Sequence, residues 1–253
     1  MVCKNHQRGE HVQTTIMNET GNQDIHLHLV DLSQPRNVFR FAQDFRDQTG
    51  KLDVLIHNAG SMVANRQTDP DGIEKNFAVN VLAPHILTRQ LIPLLHKAKP
   101  GRVIFVSSGG MLVQKLDVTD IQCQRMKAGD VTLIYDNHKR QQVTLAELYS
   151  REYPDVLCAA MHPGWVDTPG MRAAQPEFAA RIEQRLRTPR QGADTAIWLA
   201  IAERPCNNTS GLFYQDRVAI PPHLPMSFTK ASLLEEESFI KQLDQMMERL
   251  RHQ

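Results

Sequence analysis

Short apolar runs alternate with amphipathic segments along most of the chain. In "DIHLHLVDL" (residues 24–32) Ile25, Leu27 and Leu29 recur at period two, which predicts a strand. Ser33 is then placed to cap a helix over "QPRNVFRFAQDF", with Val38, Phe41, Ala42 and Phe45 on one face. "LDVLIHNAG" (52–60) reads as a buried strand ending in a glycine turn. A long helix follows near 72–97, with Pro84 and Pro93 as kink points. "RVIFVSS" (102–108) is the next strand, followed by a helix carrying Tyr135 and Lys139, and then by the strand "VLCAAMHPG" (156–164). Thr188 and Pro189 have the cap-then-proline signature that opens another helix, and "GLFY" (211–214) is a last short strand. The tail, 230–253, reads as a charged amphipathic helix. Its Leu233, Leu234, Phe239, Leu243, Met246, Met247 and Leu250 dock on the domain or on a partner.

This alternation predicts an α/β fold with a parallel sheet. Such sheets bind ligands beyond the carboxyl ends of their strands, so the residues just past each strand are the ones to inspect. The polar, irregular segment 114–130 is expected as an insertion loop near that rim.

Composition narrows the function. With 253 residues the chain can bury one sizeable core, and a net charge of +1 gives no electrostatic case for nucleic acid or an acidic membrane. Cys3, Cys123, Cys158 and Cys206 are scattered, which argues against a disulfide framework or a zinc site. His26 and His28 share a strand face but lack a third ligand, so no metal is expected. No apolar run approaches membrane-spanning length, and the N-terminus lacks the apolar core of a signal peptide. The expected location is therefore cytoplasmic, and the N-x-[ST] triplets at Asn18, Asn207 and Asn208 are read as chance.

Five short motifs lie where a predicted strand ends or in the helix that follows: "HNAG" (57–60), "NFAVN" (76–80), "VSSGG" (106–110), Tyr135-x-x-x-Lys139 and "HPGWVDTPG" (162–170). A tyrosine four residues before a lysine means little alone. In this order and at these intervals, the set resembles the short-chain dehydrogenase/reductase family, in particular its retinol-dehydrogenase-like branch. The resemblance runs from Met1 to about Arg217. It implies a single Rossmann-like, doubly wound domain over 1–217, with 218–253 as a C-terminal extension.

It also implies an NAD(P)-dependent oxidoreductase interconverting a hydroxyl and a carbonyl on a small, apolar substrate by hydride transfer. A phenol with a pKa near ~10 is a poor base at neutral pH, and a lysine cation one helical turn away favours its ionised form. By resemblance Tyr135 is the acid/base. Lys139 activates it and bonds the nicotinamide ribose. Ser108 binds the reacting oxygen, as oxyanion donors do, and Asn80 holds a water that links the lysine to solvent. Ser107 is read as a local cap. Asp31 and Leu32 match positions that contact the adenine. Asn58, Ala59 and Gly60 match the turn beside the cofactor. Pro163, Gly164, Val166 and Thr168 match the segment along the nicotinamide. Lys4 takes the place where NADP-preferring members meet the 2′-phosphate, which favours NADP, with NAD as the alternative. Trp165 and Trp198 are packing residues, the former bordering the substrate space.

The sequence departs from the family at three points. His57 replaces the usual asparagine before "NAG", and His138 stands where serine often precedes the lysine. None of the thirteen glycines forms the T-G-x-x-x-G-x-G turn on which a dinucleotide pyrophosphate rests. The first strand-turn-helix unit is thus expected to be missing, leaving the 24–32 strand without a neighbour that joins it to 52–60. Two alternatives stay open: a truncated, catalytically inactive isoform, and a non-catalytic binding protein on the same fold. Oligomeric state, including a homo-oligomer, is also left open.

Overall fold

The computed structural model describes residues 1–203 and 210–251, with Ala128 described for its backbone alone. Cys206, Asn207 and Asn208 lie outside the described residues.

The chain opens with a two-residue strand, β1 (Val2–Cys3), and a helix, α1 (His6–Thr20). Asn5 caps α1 by accepting a bond from the Arg8 amide at 2.9 Å, and Gly21 closes it at φ 73, a left-handed value glycine adopts without cost. The next strand, β2 (His28–Leu29), pairs parallel with β1 in the register Val2 to His28 and Cys3 to Leu29. It is far shorter than the alternation over 24–32 predicts. Helix α2 (Pro35–Gln48) does present Val38 and Ala42 to the core, with Phe41 and Phe45 half-buried beside them. Ser33 does not cap it. The Ser33 amide and hydroxyl instead donate to Asp31 Oδ1, at 3.0 and 2.7 Å, because the preceding turn offers that carboxylate first, and Gln34 takes the N-cap position.

The predicted long helix is broken into three. A single turn, α3 (Lys75–Phe77), runs into a π-helical turn (Ala78–Leu82) and then α4 (Ala83–Leu95). Pro84 is the second residue of α4, just after the π turn, and Pro93 lies inside the helix. The strand β3 (Val54–His57) precedes these elements, and β4 (Gly101–Val106) lies between α4 and the next long helix. The segment 114–130 is irregular as expected, but it is not a free loop: Leu116, Ile121 and Cys123 are buried, and Gln122 Oε1 accepts the Glu74 amide at 2.8 Å.

Helix α5 (Val131–Glu152) leads to β5 (Val156–His162), two short helices, α6 (Pro169–Ala174) and α7 (Pro176–Arg181), and then α8 (Pro189–Ile201). Thr188 and Gln191 form the reciprocal capping box at the start of α8. The chain then forms β6 (Leu212–Gln215), β7 (Val218–Ile220) and α9 (Leu233–Arg251).

Five strands make the main sheet in the order β3-β4-β5-β6-β7, parallel up to β6. The last pair, β6 with β7, is antiparallel, because residues 216 and 217 reverse the chain in a tight turn with no crossover. One face of the sheet, including Val103, Phe105, Cys158 and Ala160, belongs to the core formed with α4, α5 and α9. The other, with Ile104, Ala159, Met161 and Tyr214, packs against Ala196 and Leu199 of α8. Helices thus cover both faces, as a doubly wound sheet requires. β1 and β2 form a separate two-stranded sheet, and no described strand joins them to β3. No helix among the described residues is long and apolar enough to cross a membrane.

Candidate active site

Helix α5 carries the predicted reacting groups, and its position is fixed from below. Ser107, just past β4, donates through Oγ to the Lys139 main-chain carbonyl at 2.8 Å. The Lys139 side chain runs back to the same strand end, where Nζ donates to the Val106 carbonyl at 2.7 Å. Ser107 is therefore a tie between strand and helix and not the local cap expected of it; the residue that caps the next turn is Ser108.

The groups converge at one point. An added Cβ on Gly60 would lie 3.8 Å from Asn80 Oδ1, 3.8 Å from Lys139 Nζ and 3.9 Å from the Tyr135 hydroxyl. Gly60 belongs to the exposed turn after β3, and it also lines a cavity of about 400 Å³ together with Lys4, Asp31, Leu32 and Ala59. Five of the residues expected to bind cofactor thus share one cavity, and the residues expected to transfer the proton meet at its glycine. Asn58 precedes this turn and is exposed. Pro163, Gly164, Val166 and Thr168 follow β5 and are half-buried, but they are not part of that cavity's wall. Gly164 has φ 80, and a Cβ there would sit 2.6 Å from the Arg187 side chain. Thr168 caps α6 by accepting the Met171 amide at 3.2 Å.

Electrostatics depart from the sequence reading. Lys139 was expected to pull the Tyr135 pKa down. Burial, with Asp136 adding to it, instead pushes Tyr135 up to about 12, and burial takes Lys139 down to about 7. The reason is geometric. The lysine is 2% exposed, so its charge is costly where it sits, and the tyrosine ring 5.1 Å from its Nζ replaces little of the lost water. Lys4 does not stand free for a phosphate: its Nζ is 2.8 Å from Asp31 Oδ2. Burial raises the Asp31 pKa, but the bonds from Lys4 and Ser33 outweigh it and hold the carboxyl below its ordinary value.

The Asn80 side chain is taken up by protein. Its Oδ1 accepts the Ser61 amide at 2.8 Å, and Nδ2 donates to the Ser61 carbonyl at 2.8 Å and meets His138 Nδ1 at 3.3 Å. Ser108 is half-buried at the start of the 3₁₀ turn Gly109–Val113, where its Oγ makes one long bond, 3.4 Å, from the Gly110 amide. That leaves its hydroxyl proton available to a ligand. The two histidine departures are buried and neutral. Burial holds His57 and His138 each near about 3, and His57 Nε2 pairs with Thr88 Oγ1 at 2.9 Å.

Sequence reasoning missed three residues here. Gln142 accepts from Lys139 Nζ at 3.1 Å; it lies one further turn along the same helix face, a spacing that could have flagged it. Asp136 is a buried carboxyl raised to about 6 by burial, beside Gly110. His162 accepts the Gly109 amide at Nδ1, 3.0 Å, and its ring meets Trp165 edge-on. Trp165 itself lies on Phe178, with ring centres 4.6 Å apart.

A sheet covered by helices on both faces, with a tyrosine–lysine pair meeting a glycine turn at the strand ends, matches known proteins. Residues 1–118 fit the short chain dehydrogenase family model, and the chain belongs to the short-chain dehydrogenase/reductase family of oxidoreductases. Among curated relatives it is 49% identical over 251 residues to dehydrogenase/reductase SDR family member 12 of Bos taurus, covering 99% of this chain and 78% of that protein. It is 29% identical over 210 residues to retinol dehydrogenase 11 of Homo sapiens, covering 80% and 64%. Of the solved structures, a short-chain dehydrogenase from Escherichia coli CFT073 complexed with NADPH superposes with a TM-score of 0.65 at 24% identity, covering 84% of this chain and 83% of that one.

Proposed function

We propose that the protein is a carbonyl reductase that uses a nicotinamide dinucleotide, NADP before NAD, on a small apolar substrate. The observation that carries this is the convergence of the Tyr135 hydroxyl, the Lys139 amine and Asn80 around Gly60, at the edge of a cavity that a ribose-bearing ligand can enter. The cofactor supplies the hydride. Gly60 leaves room for it, since any side chain there would occupy the space between the three groups. Lys139 Nζ and the Tyr135 hydroxyl are within reach of a ribose at that point. Lys4, at the far side of the cavity, would have to exchange its Asp31 partner for a 2′-phosphate. Lys4 in the cavity wall and the NADPH complex of the Escherichia coli relative both favour this choice.

The proton chemistry favours reduction. With its pKa near about 12, Tyr135 is protonated at neutral pH and can deliver its proton to a carbonyl oxygen as hydride arrives. Lys139, when charged, steadies the phenolate left behind. Ser108 donates to the same oxygen and shares its developing charge. Trp165 and Phe178 give the region after β5 an apolar surface suited to an apolar substrate.

The test is a panel of aldehydes and ketones with NADPH, comparing the wild-type chain with Tyr135→Phe. A loss of roughly 10²–10⁴-fold in kcat with NADPH affinity preserved is the expected result. Equal rates for the two proteins would refute the role of Tyr135. The competing reading, an inactive binding protein, gains from a wild-type chain that is folded yet takes up no NADPH.

A further inference from the structure

We infer that Gln142 is the positioning residue of Lys139: its amide spans the gap between the lysine amine and the main-chain carbonyl of Asn80. The inference rests on reading Tyr135 and Lys139 as the proton-transfer pair. Lys139 Nζ donates to Gln142 Oε1 at 3.1 Å, and Gln142 Nε2 donates to the Asn80 carbonyl at 2.7 Å. Gln142 is fully buried, so neither bond is shared with bulk solvent.

The orientation of this amide follows from chemistry. A lysine ammonium has donors only, so it must meet the amide oxygen. The Asn80 carbonyl has lone pairs only, so it must meet the amide nitrogen. A flipped amide would set oxygen against oxygen at one end and hydrogens against hydrogens at the other. The bridge is therefore directional, and it is complete only while Lys139 acts as the donor.

Sequence analysis expected Asn80 to hold a water that links Lys139 to solvent. The Gln142 side chain makes a different link, from Lys139 to the Asn80 carbonyl, within the protein. The carbonyl it uses lies in the π-helical turn Ala78–Leu82, a feature that often marks a working site. Through Gln142 this turn, the end of β4 and helix α5 all meet at one amine, because Lys139 also donates to the Val106 carbonyl. Two neutral acceptors, and no carboxylate, face the amine. The titratable groups beside it are Tyr135, whose ring lies 5.1 Å away, and His138, which Lys139 keeps neutral together with burial. The acceptor from Gln142 thus offsets part of the cost of keeping a buried lysine charged, and it holds the amine at the Gly60 point rather than letting it withdraw.

The consequence is a titration that responds to Gln142 in two opposite directions. The full chain is labelled with ¹³C-lysine, and the Lys139 Cε resonance is identified by its loss in Lys139→Met and followed with pH. Gln142→Met keeps the side-chain length and removes the acceptor, so the Lys139 midpoint moves down. Gln142→Glu puts a carboxylate at the same place, so the midpoint moves up by roughly 1–3 pH units. Opposite shifts support the inference, since a packing role gives no such reversal. Midpoints equal to wild type, or moving the same way in both variants, overturn it. Should Gln142→Met not fold, Gln142→Asn, which keeps an amide but draws it back from the amine, is titrated in its place: a lowered Lys139 midpoint supports the inference and an unchanged one overturns it. NADPH titration of the wild type is run alongside: absence of binding there counts against the enzymatic reading, while the lysine titration still decides the role of Gln142.

Discussion

At the scale of single residues, burial decides the chemistry. Tyr135 and Lys139 were legible in the sequence by spacing and by the motifs around them. Their protonation was not, because it depends on how far the lysine is withdrawn from water, and spacing carries no information on that. With Lys139 near about 7 and Tyr135 near about 12, the lysine and not the tyrosine loses its proton in the working range. In the proposed reduction Tyr135 gives up its proton and Lys139 acts as a cation, so both must start protonated. The reductive kcat/KM is therefore expected to be highest below about 7 and to fall as pH rises through that value. A profile flat up to the tyrosine range, read in steady-state assays with one carbonyl substrate, would contradict this assignment. Asn80 was singled out in the sequence, but the use of its carbonyl by Gln142 was not, since a main-chain contact from a residue far along the chain leaves no pattern in the sequence.

Elements were readable where they bury a stripe. The tail helix α9 shows this: Phe239, Leu243, Met247 and Leu250 lie at helical spacing and are buried against the domain, while Leu233 and Leu234, ahead of the stripe, remain exposed. Polar contacts fix the same helix. Asp244 accepts two bonds from Arg89, both at 3.1 Å, and Glu236 pairs with Arg151 at 2.5 Å. Phe239→Ala should cost roughly 3–5 kcal/mol, since a fully buried ring leaves a cavity that its neighbours fill only in part. Thermal denaturation followed by circular dichroism checks it, and a change below about 1 kcal/mol would mean that the helix is not held by this ring. Helix α1 was not readable on the same grounds: Gly9 is its one buried residue, set against Leu27, and a single glycine makes no stripe. The break of the 72–97 helix into α3, the π turn and α4 was also hidden, because a π turn adds one residue without disturbing the apolar pattern on either side.

For the whole molecule, the alternation of runs foretold the α/β fold class with its mostly parallel sheet. The sequence also anticipated that the 24–32 segment would not be joined to β3. It could not say how that segment would settle. A strand extends only as far as a partner offers hydrogen bonds, and β1 offers two residues, so an alternation nine residues long yields a β2 of two. The pair is held by a few bonds of its own, such as the Val30 amide to the Cys3 carbonyl at 2.9 Å, while β4 is flanked by a strand on each side. Local opening near β1 and β2 therefore need not await the unfolding of the main sheet. Deuterium should enter the amides of Cys3, His28 and Val30 long before those of Val103 to Phe105, and comparable uptake at the two places, measured by exchange mass spectrometry, would count against two independently breathing parts. Because Lys4 and Asp31 sit on the looser part and Gly60 on the firmer one, a ligand gripping both would act as a clasp, and its arrival would register as slowed exchange in β1 and β2 before any product forms.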